Sequence, residues 1–160
     1  MDFQTLTRFR YAHPADAPAL QTALWPQRAC DEVTLHLSEI ERRRQAGRAW
    51  AVLCEVHGRP TGFGQVARWG RRAEISDLVV AKGQRGQGVG SALIHCLLAI
   101  ATREGFPAVE IGAALSNPRA LALYRRLGFT DLRVQTVHLE AGPELVQYLV
   151  MPLEGHRLRQ

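Results

Sequence analysis

The octapeptide Gln84-Arg85-Gly86-Gln87-Gly88-Val89-Gly90-Ser91 stands between an apolar, strand-like stretch, Ile75 to Ala81, and a long helical stripe. Helix starts leave backbone N–H groups unpaired, and glycine lets a ligand approach close enough to use them. An anion carrying several phosphate oxygens can therefore lie across residues 85 to 91. Backbone donors, the positive end of the helix dipole and the Arg85 guanidinium would hold it. From Val89, apolar residues recur at Ala92, Leu93, Cys96, Leu97, Ile100 and Ala101, which predicts a helix ending at Gly105 with Pro107 just beyond. Ala108 to Ala113 reads as the next strand, so strand, glycine-rich turn, helix and strand form one crossover unit with parallel strands.

Spacing separates this loop from two other phosphate binders. Gly83 and Gly88 have the glycine spacing of a Walker loop, but Val89 stands where its lysine belongs. Read as a dinucleotide fingerprint, Gly86 and Gly88 put the third small position on Ser91, mid-chain, without the acidic residue expected about 20 residues on. What remains is Arg-Gly-x-Gly-x-Gly, which resembles the acyl-CoA-binding loop of the GNAT superfamily of N-acetyltransferases. A second stretch, Asn117-Pro118-Arg119-Ala120-Leu121-Ala122-Leu123-Tyr124-Arg125-Arg126-Leu127-Gly128-Phe129, resembles that superfamily's other signature, Asn-x-x-Ala-x-x-Leu-Tyr-x-x-x-Gly-Phe, with every fixed position filled. One helix and one strand separate the two. The resemblance is sharpest over residues 73 to 129 and fades toward both ends.

This resemblance implies an α/β (α+β) fold, a mixed and mostly antiparallel sheet with helices on both faces, spanning residues 1–160 as one acetyltransferase domain. It implies transfer of an acetyl group from acetyl-CoA to a primary amine of a small molecule or protein, by direct attack in a ternary complex and without a metal. The cofactor-binding residues carried over are Leu78, Val79 and Val80 through their backbone, then Arg85, Gly86, Gln87, Gly88, Val89, Gly90, Ser91, Asn117 and Tyr124. Tyr124 follows Asn117 by about two helical turns, on the same face. It is the expected general acid, because a tyrosine near ~10 can protonate a departing thiolate near ~8.5. It also suits a core position between Leu121 and Leu127. Asn117, followed by Pro118, is the natural N-cap of this helix, and Gly128 its left-handed end.

Glu74 matches the glutamate that histone-modifying members use as general base, and is equally readable as a solvent-exposed strand residue. Simple alternation puts it in phase with Ser76, Leu78 and Val80, with Asp77 on the other face unless a bulge intervenes. Asp77, His138 and Glu140 are further candidates for the base. The acceptor pocket is expected from the weakly matching segments around residues 22 to 40 and 130 to 150, where convergence of Asp31, Glu32, Glu140 and Glu144 would favour cationic acceptors. A catalytically silent acyl-CoA-binding regulatory module is the alternative function, against which Tyr124 argues.

The rest of the chain fits one domain. Leu6 to Tyr11 reads as a strand, a short helix runs to Leu24 before Trp25-Pro26, and Val33 to Ala46 is an amphipathic helix stopped by Gly47. Trp50 to Val56 and Thr61 to Arg68 form a hairpin around His57-Gly58-Arg59-Pro60, and Ala73 to Ala81 is a third strand. After a helix from Pro118 to Leu127, Thr130 to Leu139 and Leu145 to Pro152 pair around Ala141-Gly142-Pro143.

At 160 residues the chain buries a core without staples. Cys30, Cys54 and Cys96 are odd in number and unevenly placed, so they read as buried apolar residues of a cytoplasmic protein rather than as disulfides or metal ligands. The six histidines have no ligand spacing either. No signal-like amino terminus and no run near ~20 apolar residues argue against membrane insertion. The net charge of +5 raises nucleic acid as a partner, but Arg42-Arg43-Arg44 follows Glu39 and Glu41 in a solvated helical face without interleaved aromatics. A basic surface suits coenzyme A instead, and a homodimer is allowed.

Overall fold

A computed structural model describes residues 6–153. Seven strands are laid down as β1 (Thr7–Tyr11), β2 (Ala49–Val56), β3 (Arg59–Trp69), β4 (Arg72–Val80), β5 (Ala108–Ala114), β6 (Thr130–Leu139) and β7 (Gly142–Pro152). Four α-helices accompany them: α1 (Ala17–Leu24), α2 (Cys30–Gln45), α3 (Val89–Arg103) and α4 (Pro118–Arg126). The sheet order is β1-β2-β3-β4-β5-β7-β6. Every neighbouring pair is antiparallel except β4 with β5, the two strands joined through α3. This is the mixed, mostly antiparallel sheet that the sequence predicts.

Helices cover both faces. β2 is apolar at successive positions because each face meets a different core: Trp50, Val52 and Cys54 join α3 and α4, while Ala49, Ala51 and Leu53 join α1 and α2. In β3, Gly62 and Gly64 alternate with Phe63 and Gln65 and bring α3 down onto the strand. A Cβ at Gly62 would meet Leu93 Cδ1 at 2.7 Å, and one at Gly64 would meet Leu97 Cδ1 at 3.0 Å. Leu93, Ile94 and Leu97 are fully buried in that contact, each stabilising the fold by about 1.5–3 kcal/mol. The start of α3 is thereby fixed beside the end of β4.

Three boundaries differ from the sequence expectation. α2 begins at Cys30 rather than Val33, because its first turn carries Asp31 and Glu32, exposed residues that favour a helix N-terminus without extending an apolar stripe. The first hairpin turns on His57-Gly58 alone, both with positive φ (51° and 73°). Arg59 and Pro60 belong to β3, with Pro60 tolerated beside a bulge at Cys54/Glu55. β7 starts at Gly142, so the last turn is shorter than expected. Of the cysteines only Cys54 is buried; Cys96 is half-buried and Cys30 exposed on the first turn of α2. No described helix is long and apolar enough to cross a membrane.

One irregularity overturns the strand-phase argument. Asp77 has φ +54°, and between the pairs Gln65↔Ser76 and Phe63↔Val79 the two residues Asp77 and Leu78 oppose Gly64 alone. This β-bulge reverses the alternation. Glu74 and Ser76 face the α1/α2 side, whereas Leu78 and Val80 pack toward α3, so they are not in phase with Glu74. Asp77 bonds to residues of α2 and β3, on the same side as Glu74.

Candidate active site

β4 and β5 pair at only three positions, Ala73↔Val109, Glu74↔Glu110 and Ile75↔Ile111. Beyond these both strands continue, β4 to Val80 and β5 to Ala114, held by β3 and β7 on their outer edges but not by each other. The strands part, and the backbone of Ser76 to Val80 faces the gap. Two clefts reach this parting from opposite faces of the sheet.

The first, of about 710 Å³, lies on the α3/α4 face. Its floor is Leu78, Val79 and Val80, and its wall is the glycine-rich loop, with Gly86 at φ +76° and Gly88 at φ +84°. No atom stands within 4 Å of where a Cβ would lie at either glycine, so their need is conformational and the space above them is free. Gly88 is the N-cap of α3, and no side chain caps that helix, which leaves its first N–H groups to the cleft. Arg85, Arg119 and Arg126 line the cleft with no carboxylate among its lining residues. None of the three forms a salt bridge among the described residues; Arg85 Nε donates to the Val80 carbonyl at 3.3 Å. Uncapped helix, free glycine backbone and guanidinium groups without carboxylate partners make a binding surface for a polyanion.

Helix α4 supplies the cleft's other side. Asn117 caps it, its Oδ1 accepting from Ala120 N at 3.3 Å, and Pro118 occupies the first helical position. The side-chain NH2 stays available to the cleft. Tyr124 lines the cleft although the residue is only 7% exposed, its ring beside Phe129 with centroids 6.3 Å apart, so core packing and a place on the cleft wall coexist. Burial pushes the Tyr124 hydroxyl above its ordinary value, which keeps it protonated and able to donate at neutral pH. Gly128, at φ +107°, ends α4 and lets Phe129 N bond back to Tyr124 O at 3.0 Å.

The second cleft, of about 510 Å³, lies on the α1/α2 face and carries Glu74, Ser76, Gln65, Arg43, Trp69, Arg133, His138 and Tyr148 among its lining. Glu74 is half-buried. Burial and the neighbouring Glu110 push its carboxyl above the usual range, and Arg133 opposes them. Glu110, 4% exposed, is matched by Arg133, whose Nη1 donates to Oε1 at 2.5 Å while its guanidinium lies 4.6 Å from the Tyr148 ring. Tyr148 reaches this position because β5 carries Gly112 opposite it, where a Cβ would meet the ring at 2.9 Å. Glu74 itself makes no salt bridge among the described residues.

The residues read from the sequence thus fall into two groups. Leu78, Val79, Val80, Arg85, Gly86, Gly88, Val89, Gly90, Ser91, Asn117 and Tyr124 meet around the first cleft; Gln87 is exposed and outside its lining. Glu74 and His138 open into the second cleft, while Asp77 is bonded to His36 and Gln65, and Glu140 is exposed in the β6–β7 turn. Asp31, Glu32, Glu140 and Glu144 do not converge on that cleft, and Glu144 instead accepts from Ser116 Oγ at 2.6 Å. The segment 22 to 40 contributes nothing to its lining; α2 reaches it only through Arg43. Arg119 and Arg126 were legible as a stripe seven residues apart, parallel to Asn117 and Tyr124. Arg133, Tyr148 and Glu110 gave no local signal, since only sheet register unites them.

Residues 12–129 match the Acetyltransferase (GNAT) family. An uncharacterized N-acetyltransferase of Methanocaldococcus jannaschii is 35% identical over 89 residues, 51% of this chain and 39% of that protein. A mycothiol acetyltransferase of Clavibacter michiganensis is 33% identical over 87 residues, 54% of this chain and 28% of that protein. The chain therefore spans well under half the length of these relatives. Among solved structures, the ribosomal L7/L12 alpha-N-protein acetyltransferase RimL in complex with coenzyme A superposes with a TM-score of 0.82 at 21% identity, covering 94% of this chain and 96% of that one. The acetyltransferase yncA of Salmonella typhimurium, solved with acetyl-CoA, gives 0.76 at 24% identity, covering 94% and 95%. At these identities the likeness is one of fold.

Proposed function

The chain belongs to the acetyltransferase (GNAT) family, and from that premise we propose that it transfers an acetyl group from acetyl-CoA to a primary amine by direct attack in a ternary complex. One observation carries the reading: two clefts of different chemistry reach the parting of β4 and β5 from opposite faces. The first cleft, with three guanidinium groups and no carboxylate, fits a phosphorylated cosubstrate; the second, where Arg43, Arg68 and Arg133 accompany the unpaired Glu74, fits an amine through that one carboxylate.

Bound acetyl-CoA supplies an acyl group activated as a thioester. Arg85, Arg119 and Arg126, with the backbone of Gly86 to Ser91, bind its phosphates. The free backbone edge of Leu78 to Val80 orients the pantetheine arm and donates to the carbonyl oxygen as it gains negative charge. Tyr124 donates its proton to the departing sulfur. Glu74 accepts the proton that the amine loses; its raised carboxyl is a better base than an exposed glutamate and remains ionised above that raised value. The acceptor is a small-molecule amine or a protein amino group.

Release of free thiol from acetyl-CoA, followed across a panel of α-amino, lysine-like and polyamine acceptors, tests the proposal. Acceptor-dependent thiol release with a matching acetylated product is expected. Tight acetyl-CoA binding without turnover on any amine would instead mark a regulatory acyl-CoA-binding module.

A further inference from the structure

Among the described residues only His57 and Asp77 have positive φ without being glycine. His57 sits in a two-residue hairpin turn that requires it. Asp77 has no such turn. It lies inside β4, at the bulge, and a left-handed backbone there persists only if its surroundings hold it. Two donors do so. Gln65 Nε2 of β3 and His36 Nε2 of α2 both approach Asp77 Oδ2, at 2.5 and 2.7 Å. Burial pushes the Asp77 carboxyl up, but the bond and charge of His36, the bond from Gln65 and the charge of Arg28 outweigh it and hold the carboxyl below its ordinary value. The side chain is therefore an ionised acceptor, and His36 donates through Nε2. His36 is itself placed by the edge of Trp25, centroids 6.4 Å apart, and Trp25 by Phe63 at 5.0 Å. Neither His36 nor Asp77 lines either cleft, so an effect on the reaction passes through the backbone of β4 or through Gln65, whose side chain lines the second cleft.

That backbone is the one next to the reacting atoms. The extra residue at Asp77 turns Leu78 toward α3, with Leu78 Cδ1 3.0 Å from where a Cβ of Gly64 would stand, and sets which peptide groups of Leu78 to Val80 face the parting. We propose that His36 is a positioning residue: its hydrogen bond pins Asp77 in the left-handed bend and thereby aims the free backbone edge of Leu78–Val80 at the acyl group. The inference rests on the acetyl-transfer reading of this site. It also makes α2 the link between the clefts, because Arg43, two turns after His36 on the same helix, lines the acceptor side.

His36→Ala should lower kcat by about 10- to 100-fold, the scale of a misaimed carbonyl donor, with both KM values within about threefold of wild type. Glycine adopts this φ without a clamp, so His36→Ala/Asp77→Gly should recover kcat to within about fivefold of wild type. His36→Asn, which shortens the donor's reach, carries the same expectation as the alanine variant if the latter melts early. In 15N-labelled protein without ligand, His36→Ala should shift the Asp77 and Leu78 amide resonances, and the double variant should return Leu78 toward its wild-type position. A double variant as slow as His36→Ala would overturn the proposal, and loss of the acidic limb of the pH profile in both would then make His36 the proton acceptor. Leu78 resonances unmoved by His36→Ala would overturn it whatever the activity. A wild-type protein that turns over no amine sinks the acetyl-transfer reading alone, and the resonance shifts still decide the clamp.

Discussion

The two clefts differ in how they are built. The cofactor cleft is assembled from consecutive residues: one loop and one helix end supply its glycines and Arg85, and one helix supplies Asn117, Arg119, Tyr124 and Arg126. Its donors are largely main chain. The proposed acceptor cleft draws on five elements, α2, β3, β4, β6 and β7, with residues 67–69 and 135–138 as its only consecutive runs and single residues elsewhere. A ligand shared by many enzymes can be gripped by backbone and a fixed motif. A variable acceptor is met by side chains that can change one at a time without touching that grip.

The strongest test of this division is Tyr124→Phe, which keeps the ring packed against Phe129 and removes only the hydroxyl. Turnover should fall by about 10²-fold, the low end for general acid catalysis because a thiolate leaves readily, with acetyl-CoA affinity nearly unchanged. Wild-type turnover under chemistry-limited conditions would make Tyr124 a core residue alone.

Two glycines then set the clefts against each other. Gly88 has open space but φ +84°, so Gly88→Val is strained by its backbone, at about 1–3 kcal/mol, and blocks the approach to the start of α3. Acetyl-CoA binding, read by titration or by cofactor-induced rise in Tm, should weaken by roughly tenfold or more. Gly112 has no positive φ but no space, and Gly112→Ala must displace the Tyr148 ring at 2.9 Å. It should cost about 1–3 kcal/mol of stability and raise the acceptor KM while leaving the acetyl-CoA Kd intact. Equal effects of the two substitutions on cofactor binding would break the comparison.

Glu74→Gln separates chemistry from stability at one residue. The fall in kcat/KM should be about tenfold at neutral pH and should shrink as pH rises and more free amine is present. The stability effect runs the other way. A carboxyl whose folded value lies above its unfolded value contributes stability below the unfolded pKa and loses it as pH rises through the folded one. Glu74→Gln removes that loss, so its Tm relative to wild type should rise from pH 4 toward pH 8. A variant less stable than wild type at pH 8 would show that Glu74 has a stabilising partner when ionised.

The smallest effect is expected from Arg43→Ala, half-buried at the edge of the acceptor cleft. An acceptor KM changed about threefold, with no change in acetyl-CoA affinity, fits a partly exposed charge. A loss in cofactor binding would place Arg43 on the wrong side of the division.

The sequence by itself determined the crossover unit, the loop of Arg85 to Ser91, the cap at Asn117 and the helix face of Tyr124, because each depends on neighbours within two helical turns or on a single β-to-α junction, and the resemblance of these segments to a known family implied the fold class. Period-3.6 and period-2 patterns, glycines and caps are local, so their physics is written in order along the chain. The tertiary structure alone decided the bulge at Asp77, the face on which Glu74 opens, the pairing of Glu110 with Arg133 and the room for Tyr148 over Gly112. Alternation in β4 fails after Ser76 because a one-residue insertion opposite Gly64 is fixed by His36 and Gln65, which come from α2 and β3. Such contacts are set by strand register and helix docking, and neither leaves a periodic trace in the residues that make them.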